Sequence, residues 1–382
     1  MQTNDDDARR ADVERSATVL VTGAAGFIGS HLCEALLDAG CSVWGLDSFH
    51  PYYSPAVKRR NLRAASGHPK MHVVQGDIRD GVLLDGLLGG RAFDAAVHLA
   101  ALPGVRTSLE APDVCMDINV QGTLTLLEAL ARHEIDRLVF ASSSSVYGED
   151  TAPPFRESDA ADRPISPYAA SKRAGEMLCH SYSATHGLSV HCLRIFTAFG
   201  PRQRPDLAIH KFARLMRGGE PIPLFGDGAS ERDYTYVGDV VAGVHRSLLR
   251  LLDLPDDATE YEIVNLGRGS TVRLDDLVRA LSSAVGVEPE IDRLPDQPGD
   301  MPMTHADVER AGELLGWSAE TSLEEGLAAF VGWLDTVEPV DDVRDERPST
   351  AGPLPAEVQG DTAFAPGRRS DAADPSVVEG AG

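Results

Sequence analysis

The stretch Thr18-Val-Leu-Val-Thr-Gly-Ala-Ala-Gly-Phe-Ile-Gly29 decides the fold. Its first five residues form a short apolar run that is typical of a buried strand, and helical periodicity follows over Phe27–Ala39. Gly23, Gly26 and Gly29 occupy the turn between the two elements. Small residues there let the backbone approach a pyrophosphate, which then lies on the helix N-terminus. The stretch therefore predicts a dinucleotide site, whereas a lone glycine triplet without this context is often only a tight turn.

Strand patterns alternate with helical patterns along the first 200 residues, and this alternation predicts an α/β fold, a Rossmann-type doubly wound parallel sheet. Further strands are expected at Ser42–Leu46, Met71–Gln75, Ala95–Leu99, Leu138–Ser142 and Ser189–Ile195, with long helices at Asp113–His133 and Pro167–His186. We divide the chain into a polar N-terminal extension (1–17), an NAD-binding Rossmann domain (18–200), a smaller α/β substrate-binding lobe (201–336) and an acidic tail (337–382). The tail contains too few apolar residues to fold, and we expect it to be disordered.

Composition narrows the function classes. A formal net charge of −24 argues against nucleic-acid and anionic-membrane partners, and an anionic ligand would need a local arginine cluster. The chain has no apolar signal segment and no stretch of membrane-spanning length, and its five cysteines are scattered without metal-ligand spacing. We therefore expect reduced thiols, no metal and a cytoplasmic location.

Acidic residues at two strand ends extend the cofactor prediction. Asp47 closes the second strand, where it can accept hydrogen bonds from an adenosine ribose, and no arginine follows it immediately, which favours NAD over NADP. Lys58, with the two arginines that follow it, leaves that choice open; a solvated helix face is the other interpretation of this basic run. Asp77 and Ile78 are placed to flank the adenine, and a helix or turn cap is the alternative for Asp77.

Tyr168 and Lys172 are one helical turn apart and share a face. A free phenol titrates near ~10, so about 4 kcal/mol of anion stabilisation would make it a base near neutral pH. An ammonium about 4 Å away at an effective dielectric constant of ~20 supplies roughly that much. Combined with a dinucleotide site, the pair predicts proton removal from an alcohol or sugar hydroxyl.

These stretches together resemble the extended short-chain dehydrogenase/reductase superfamily and, within it, the NAD-dependent nucleotide-sugar 4-epimerases, from about Thr18 to Leu334. The resemblance is carried by Val21–Gly29, His98-Leu-Ala-Ala101, Phe140-Ala-Ser-Ser-Ser-Ser-Val-Tyr-Gly148, the Tyr168/Lys172 pair and Arg232-Asp-Tyr-Thr-Tyr236. It implies that Tyr168 is the base, that Lys172 orients and activates it, and that Ser143 relays hydrogen bonds. It implies NAD as a bound cofactor, contacted by Gly23, Gly26, Phe27, Ile28, Gly29, Asp47, Asp77, Ile78, Leu99, Ala100, Ala101, Asn119 and Lys172.

Residues beside Ser143 narrow the subfamily by the same resemblance. Dehydratases of the superfamily carry an Asp-Glu pair at the positions of Ser144 and Ser145, and UDP-glucuronate decarboxylases commonly carry Glu at the latter. UDP-galactose 4-epimerases usually have Asn where Thr197 stands, whereas UDP-glucuronate 4-epimerases resemble the segment from Arg194 to Asp206. This similarity implies a UDP-sugar substrate, UDP-glucuronate converted to UDP-galacturonate through a 4-keto intermediate, with Ser143, Ser144, Ser145 and Thr197 holding the carboxylate. Ser144 and Ser145 read equally well as a turn of small residues.

The nucleotide end of the substrate needs cations. Arg232 and Arg268 could pair with a diphosphate. Arg204 could be a phosphate ligand or an exposed loop charge. Arg293 and Asp300 resemble ribose and phosphate contacts, a loop salt bridge being the alternative, and Pro221–Phe225 resembles a uracil-pairing segment. The resemblance also implies a homodimer formed by the helices over Asp113–His133 and Pro167–His186. UDP-glucose 4-epimerase, UDP-glucuronate decarboxylase and a non-enzymatic NAD-sensing scaffold stay as alternatives.

Overall fold

A computed structural model describes residues 17–295, 301–337 and 357–359. Seven parallel strands form the central sheet: β1 (Thr18–Thr22), β2 (Ser42–Asp47), β3 (Met71–Gln75), β4 (Ala95–His98), β5 (Arg137–Ser143), β6 (Ser189–Ile195) and β11 (Tyr261–Leu266). Their order across the sheet is β11-β6-β5-β4-β1-β2-β3. The chain reverses direction across the sheet between β1 and β4, which is where doubly wound folds bind ligands. The predicted parallel sheet is confirmed.

Helices cover both faces of this sheet. They are α1 (Phe27–Asp38), α2 (Pro55–Asn61), α3 (Arg63–Ser66), α4 (Gly81–Leu88), α5 (Val105–Glu110), α6 (Pro112–Met116), α7 (Gly122–Arg132), α8 (Pro167–His186) and α10 (Val237–Leu252). One apolar core lies between the sheet and α1 with α10, and a second lies between the sheet and α4, α7 and α8. Local sequence sets the ends of α8: Ser166 caps the first turn, Pro167 fits its first position, and Gly187 ends it at φ 70°.

The second lobe packs around its own apolar cluster beside the carboxyl ends of the strands. It contains α9 (Ala208–Gly218), α11 (Leu274–Val285) and α13 (Leu323–Thr336), with short strands at β7 (Thr197–Phe199), β8 (Ile222–Phe225), β9 (Glu231–Arg232), β10 (Tyr234–Tyr236), β12 (Val272–Arg273), β13 (Ile291–Leu294) and β14 (Met303–Thr304). Helix α12 (Glu309–Leu315) packs instead with α10 in the core of the main sheet. The chain returns to the main sheet after residue 200, because α10 packs on it and β11 pairs with β6. The sequence interpretation missed this return.

The expected single helix over Asp113–His133 is divided. A π-helical turn at Asp117–Gln121 separates α6 from α7, and Asn119 lies buried at its centre. The Asn119 side chain clamps the backbone of Leu102, accepting its N–H at 2.7 Å and donating to its carbonyl at 3.1 Å. Such turns occur frequently at functional sites.

All five cysteines lie within the described residues, are buried, and form no disulfide. No helix in the described ranges is long and apolar enough to cross a bilayer. Most of the predicted tail, like the N-terminal extension, lies outside those ranges; within the tail, β15 (Glu357–Gln359) pairs antiparallel with β3. Asp300 also lies outside them.

Candidate active site

A cavity of about 440 Å³ opens at the carboxyl ends of the parallel strands, across the point where the chain reverses direction. It runs from the glycine turn after β1, past the ends of β2, β4 and β5, to the loop after β7. Eighteen of the predicted site residues line it: Gly23, Gly26, Phe27, Ile28, Gly29, Asp47, Asp77, Ile78, Leu99, Ala100, Ala101, Ser143, Ser144, Ser145, Tyr168, Lys172, Thr197 and Arg204.

The glycine turn fits a dinucleotide phosphate group. Gly23 has a φ of 72°, and a Cβ there would lie 2.7 Å from the backbone nitrogen of Ala100. A Cβ on Gly29 would lie 2.2 Å from the carbonyl oxygen of Gly23. Helix α1 begins after Gly26 without a side-chain cap and without an acidic residue in its first turn. Its first N–H groups are therefore available to an anion at the cavity wall.

Asp47 stands at the end of β2 beside a buried lysine. The Asp47 carboxylate accepts the backbone N–H groups of Ala25 at 2.9 Å and of Phe49 at 2.7 Å, which orients it along the cavity edge. Lys58 is only 8% exposed and lines the same edge, so its interpretation as part of a solvated helix face is wrong. Burial lowers the pKa of Lys58, and the charge of Asp47 opposes this shift.

Asp77 makes a turn, which is its cap interpretation, and it also lines the cavity, so that a contact with the adenine stays a prediction. Its Oδ1 accepts the backbone N–H of Arg79 at 2.9 Å, and its carboxylate forms a two-point ion pair with that arginine. Burial opposes ionisation, but the hydrogen bonds from Arg79 keep the pKa of Asp77 below its usual value.

Tyr168 and Lys172 reach the cavity from α8, opposite the end of β5. The Lys172 ammonium is buried and donates to the carbonyl of Ala141 at 2.7 Å. Burial lowers the pKa of Lys172 to about 8 and raises the pKa of Tyr168. The groups that act most strongly to lower the pKa of Tyr168 are Ser143, through a hydrogen bond, and Arg204, through its charge. The structure thus assigns to these two groups much of the influence that we expected from Lys172.

The serine run forms a short 3-10 turn that directs its hydroxyls to the cavity. The Ser143 hydroxyl oxygen accepts the backbone N–H of Ser145 at 3.2 Å and its hydroxyl at 2.9 Å. With these acceptor positions filled, Ser143 has its own proton to donate toward Tyr168. Thr197 faces the same space from the start of β7.

Arg204 is not an exposed loop charge. Its side chain is 16% exposed, lines the cavity, and lies over the ring of Tyr52 with 5.5 Å between guanidinium carbon and ring centroid. It donates two hydrogen bonds of 3.0 Å to Asp206, which also accepts from the Tyr52 hydroxyl at 3.0 Å. Among the described residues that line the cavity, Arg204 is therefore the arginine that an anion can reach.

Three predicted site residues do not line the cavity. Asn119 uses its side chain on Leu102, behind the cavity wall. Arg232 donates to the carbonyl of Glu231, and Arg293 is about half exposed and lies 3.5 Å from Asp275, which is its loop salt-bridge interpretation. Arg268, another candidate, donates to the carbonyl of Thr321.

Several cavity residues were not predicted, including Ser48, His50, Tyr52, Pro103, Gly104 and Phe196. Their position was the usable signal: Ser48 and Phe196 directly follow strand ends, and the other four lie in the loops that start there, where parallel sheets place ligand-binding residues. His50 is notable since both ring nitrogens are buried and have no hydrogen-bond partner.

Sheet order, glycine turn and Tyr/Lys pair together define a dinucleotide-binding protein of the Rossmann type. The chain belongs to the NAD dependent epimerase/dehydratase family, which matches residues 19–267. This membership confirms the predicted family, and the NAD dependence in the family's description agrees with the predicted cofactor.

Relatives named as UDP-glucuronate 4-epimerases match most of the chain. It is 38% identical over 315 residues to UDP-glucuronate 4-epimerase of Thermodesulfobacterium geofontis, covering 82% of this chain and 95% of that protein. It is 39% identical over 340 residues to UDP-glucuronate 4-epimerase 4 of Arabidopsis thaliana, covering 85% and 76%. A crystal structure of UDP-glucuronic acid 4-epimerase from Bacillus cereus, in complex with UDP-glucuronic acid and NAD, superposes with a TM-score of 0.77 at 35% identity, covering 83% and 99%.

Proposed function

We propose that this protein catalyses the NAD-dependent 4-epimerisation of UDP-glucuronate to UDP-galacturonate. The observation that carries the proposal is one cavity that combines a phosphate-binding glycine turn, the Tyr168/Lys172 pair, and hydroxyls where related lyases carry acids. The relatives and the B. cereus structure support the same substrate.

The glycine turn, Asp47, Asp77 and Lys172 would hold the cofactor. When bound, NAD supplies a reversible hydride acceptor for C4 of the sugar and, in its oxidised form, a positive charge. Tyr168 takes the proton of the C4 hydroxyl and later returns it, acting as base and then as acid. Ser143 donates a hydrogen bond to the phenolate, and a protonated Lys172 favours that anion.

Hydroxyl groups take the place of catalytic acids around the sugar carboxylate. An oxidised glucuronate is a β-keto acid, which loses carbon dioxide when its carboxylate turns out of the ketone plane. Ser144, Ser145 and Thr197 can restrain the carboxylate through neutral hydrogen bonds without protonating any leaving group. Arg204 supplies a positive charge to the carboxylate or to the diphosphate. The uracil and ribose would lie toward β8 and β13, where Arg293 flanks the Pro221–Phe225 segment.

Product analysis tests the proposal. Purified protein is incubated with UDP-glucuronate and, separately, with UDP-glucose, and the products are identified by NMR. We expect UDP-galacturonate from the first and little UDP-galactose from the second. Release of carbon dioxide and a UDP-pentose would assign a decarboxylase instead, and NAD retention without any turnover would assign a scaffold.

UDP-glucose 4-epimerase is the second candidate, and Thr197 separates the two. A hydroxyl pairs with a carboxylate as a single donor, whereas the Asn usual in galactose epimerases offers both donors and an acceptor to neutral hydroxyls. A Thr197→Asn variant should therefore lose preference for UDP-glucuronate over UDP-glucose, measured as the ratio of kcat/KM values. An unchanged ratio would remove Thr197 from the substrate site.

We also infer a homodimer in the cytoplasm. Met116 at the end of α6 and Met177 on α8 are 39% and 61% exposed, on the two helices expected to form the dimer bundle. Large apolar side chains on one helix pair are typical of an interface. Light scattering should give twice the chain mass, and Met177→Lys should shift it toward the monomer. Buried, reduced cysteines agree with a reducing compartment.

A further inference from the structure

Directly behind the catalytic serine, the structure buries a carboxylate that the reaction does not use. Glu176 is completely buried, and its two oxygens accept four hydrogen bonds. The donors are Ser142 Oγ at 2.6 Å, Arg194 Nε and Nη2 at 2.9 Å each, and Arg173 Nη1 at 2.9 Å. These donors come from β5, β6 and α8, so one carboxylate fastens the catalytic helix to two adjacent strand ends.

Along β5, the contact between Ser142 and Glu176 lies between two other contacts with α8. The residue before Ser142 accepts the hydrogen bond from Lys172, and the residue after it, Ser143, lines the cavity with Tyr168 and acts to lower the pKa of that phenol. Three consecutive strand residues thus meet three helix residues that are spaced one turn apart. A shift of α8 along β5 would change all three contacts together.

We propose that Glu176 is a positioning residue, which fixes the register of α8 against β5 and thereby holds Tyr168 at Ser143. The inference rests on the proposed function for its kinetic test, but the geometry itself does not depend on the substrate. A displacement of about 1 Å in a catalytic group can cost on the order of 100-fold in rate.

Further contacts connect the Glu176 carboxylate to the sheet as well as to its own helix. The Arg194 guanidinium stacks on the ring of Tyr147 at 4.7 Å, and the hydroxyl of that tyrosine donates to Asn265 at 2.6 Å. Because Asn265 lies on β11, the network spans three neighbouring strands. A buried ion pair contributes little net stability compared with apolar packing, so stability alone gives weak reason for this arrangement.

Glu176 also acts on the charge of Lys172. Its negative charge raises the pKa of Lys172 against the effect of burial. The other titratable groups around this ammonium are Cys115 from α6, Cys179 and Tyr168 from α8, and His98 from β4, while β5 contributes a carbonyl and the ring of Phe140. Loss of Glu176 should therefore make Lys172 deprotonate at a lower pH.

The test is Glu176→Gln in the NAD-loaded protein, with kcat, KM for UDP-glucuronate and the pH profile as readouts. We expect kcat to fall by between about 10- and 100-fold with KM nearly unchanged. We also expect the alkaline limb of the profile to move to lower pH. A purely structural role would lower the melting temperature and the active fraction without moving that limb.

Glu260→Gln is the matched control. Glu260 also binds an arginine at two points, Arg250 at 2.7 Å each, and accepts a third contact from His191 at 2.7 Å, outside the cavity. It should lose stability and keep the wild-type kcat and pH profile. Equal kinetic effects in Glu176→Gln and Glu260→Gln, or a wild-type profile in Glu176→Gln, would overturn the proposal.

Two further measurements keep the test decisive. If Glu176→Gln fails to fold, Ser142→Ala removes only the strand side of the contact, and it should lower kcat in the same direction by a smaller factor. In protein labelled with carbon-13 at tyrosine Cζ, the Tyr168 resonance should shift in Glu176→Gln but not in Glu260→Gln. This second readout needs no substrate, so absence of wild-type turnover would refute the proposed function alone, and an unshifted resonance would refute the positioning role.

Discussion

Burial shifts the pKa values of Tyr168 and Lys172 in opposite directions. Burial raises the pKa of the phenol and lowers the pKa of the ammonium to about 8, so each shift is toward the neutral form, although Lys172 still carries its proton at pH 7. Ser143 and Arg204 counteract this for the phenol. The phenolate of Tyr168 therefore depends on the hydrogen bond from Ser143 and on the charge of Arg204 more than on Lys172.

Removing the phenol oxygen should slow the reaction strongly while leaving the fold intact. Tyr168→Phe keeps the ring, and positioned acid–base groups contribute about 10²–10⁴-fold. We expect kcat to fall by that range with normal NAD content, measured by product NMR. A variant with full activity would exclude Tyr168 as the base. Tyr182→Phe, on the same helix at some distance from the cavity, serves as the control.

Lys58 gives a second test at this scale, with stability and binding changing in opposite directions. Burial lowers its pKa, which means that the folded state disfavours its charge. Lys58→Met should therefore raise the melting temperature of cofactor-stripped protein and lower the NAD retained on purification. Lys211→Met, on the exposed side of α9, should alter neither quantity. A Lys58→Met protein that retains wild-type amounts of NAD would remove this residue from the cofactor site.

Helices and strands could be predicted from the sequence where the residues that set them lie close by in the chain. The unit from β1 to α1 and the ends of α8 were predictable because their signals, an apolar run, a glycine turn, Ser166 and Gly187, lie within a few residues of the structure they set. The π-helical turn was not, since it depends on Asn119 reaching Leu102 on another segment. Strand β11 was missed for the same reason: its place beside β6 is decided by packing across more than 60 residues of chain.

The glycine turn permits a paired test of an element. Gly29→Ala would place a methyl group within 2.2 Å of a backbone oxygen, so β1 and α1 must separate. We expect a marked fall in melting temperature and in NAD content. Gly332→Ala, on the exposed side of α13 with no atom within 4 Å of the new Cβ, should instead stabilise by about 0.5–1 kcal/mol. Similar outcomes for the two variants would contradict the close packing at the turn.

Over the whole molecule, a net charge of −24 surrounds a cavity meant for an anion. Arg204 supplies the local positive charge that an anion needs there, although Asp206 already neutralises part of it. Other parts of the interior exclude charge: burial lowers the pKa of His98 to about 3 and of His210 to about 4, so both stay neutral in the folded protein.

These two histidines make the folded protein less stable as the pH falls. The unfolded chain binds a proton at each near pH 6.5, the folded chain only near 3 or 4, so stability is lost as pH falls through that window. For His98, acidification from pH 6.5 to 5 should remove about 2 kcal/mol from the free energy of unfolding. Urea denaturation of wild type and His98→Asn at pH 7 and 5 measures this. The variant should lose less stability on acidification, and an equal loss would mean that His98 is charged in the folded state.

The five buried cysteines have a practical meaning for anyone who handles this protein. Burial raises the pKa of Cys33, Cys115 and Cys192, so the thiolate that alkylating reagents attack is scarce as well as enclosed. Mass spectrometry after a pulse of iodoacetamide would therefore separate intact molecules, which gain no adduct, from opened ones, which gain up to five. The native cysteines therefore report how fast the protein unfolds, without an engineered probe or a known substrate.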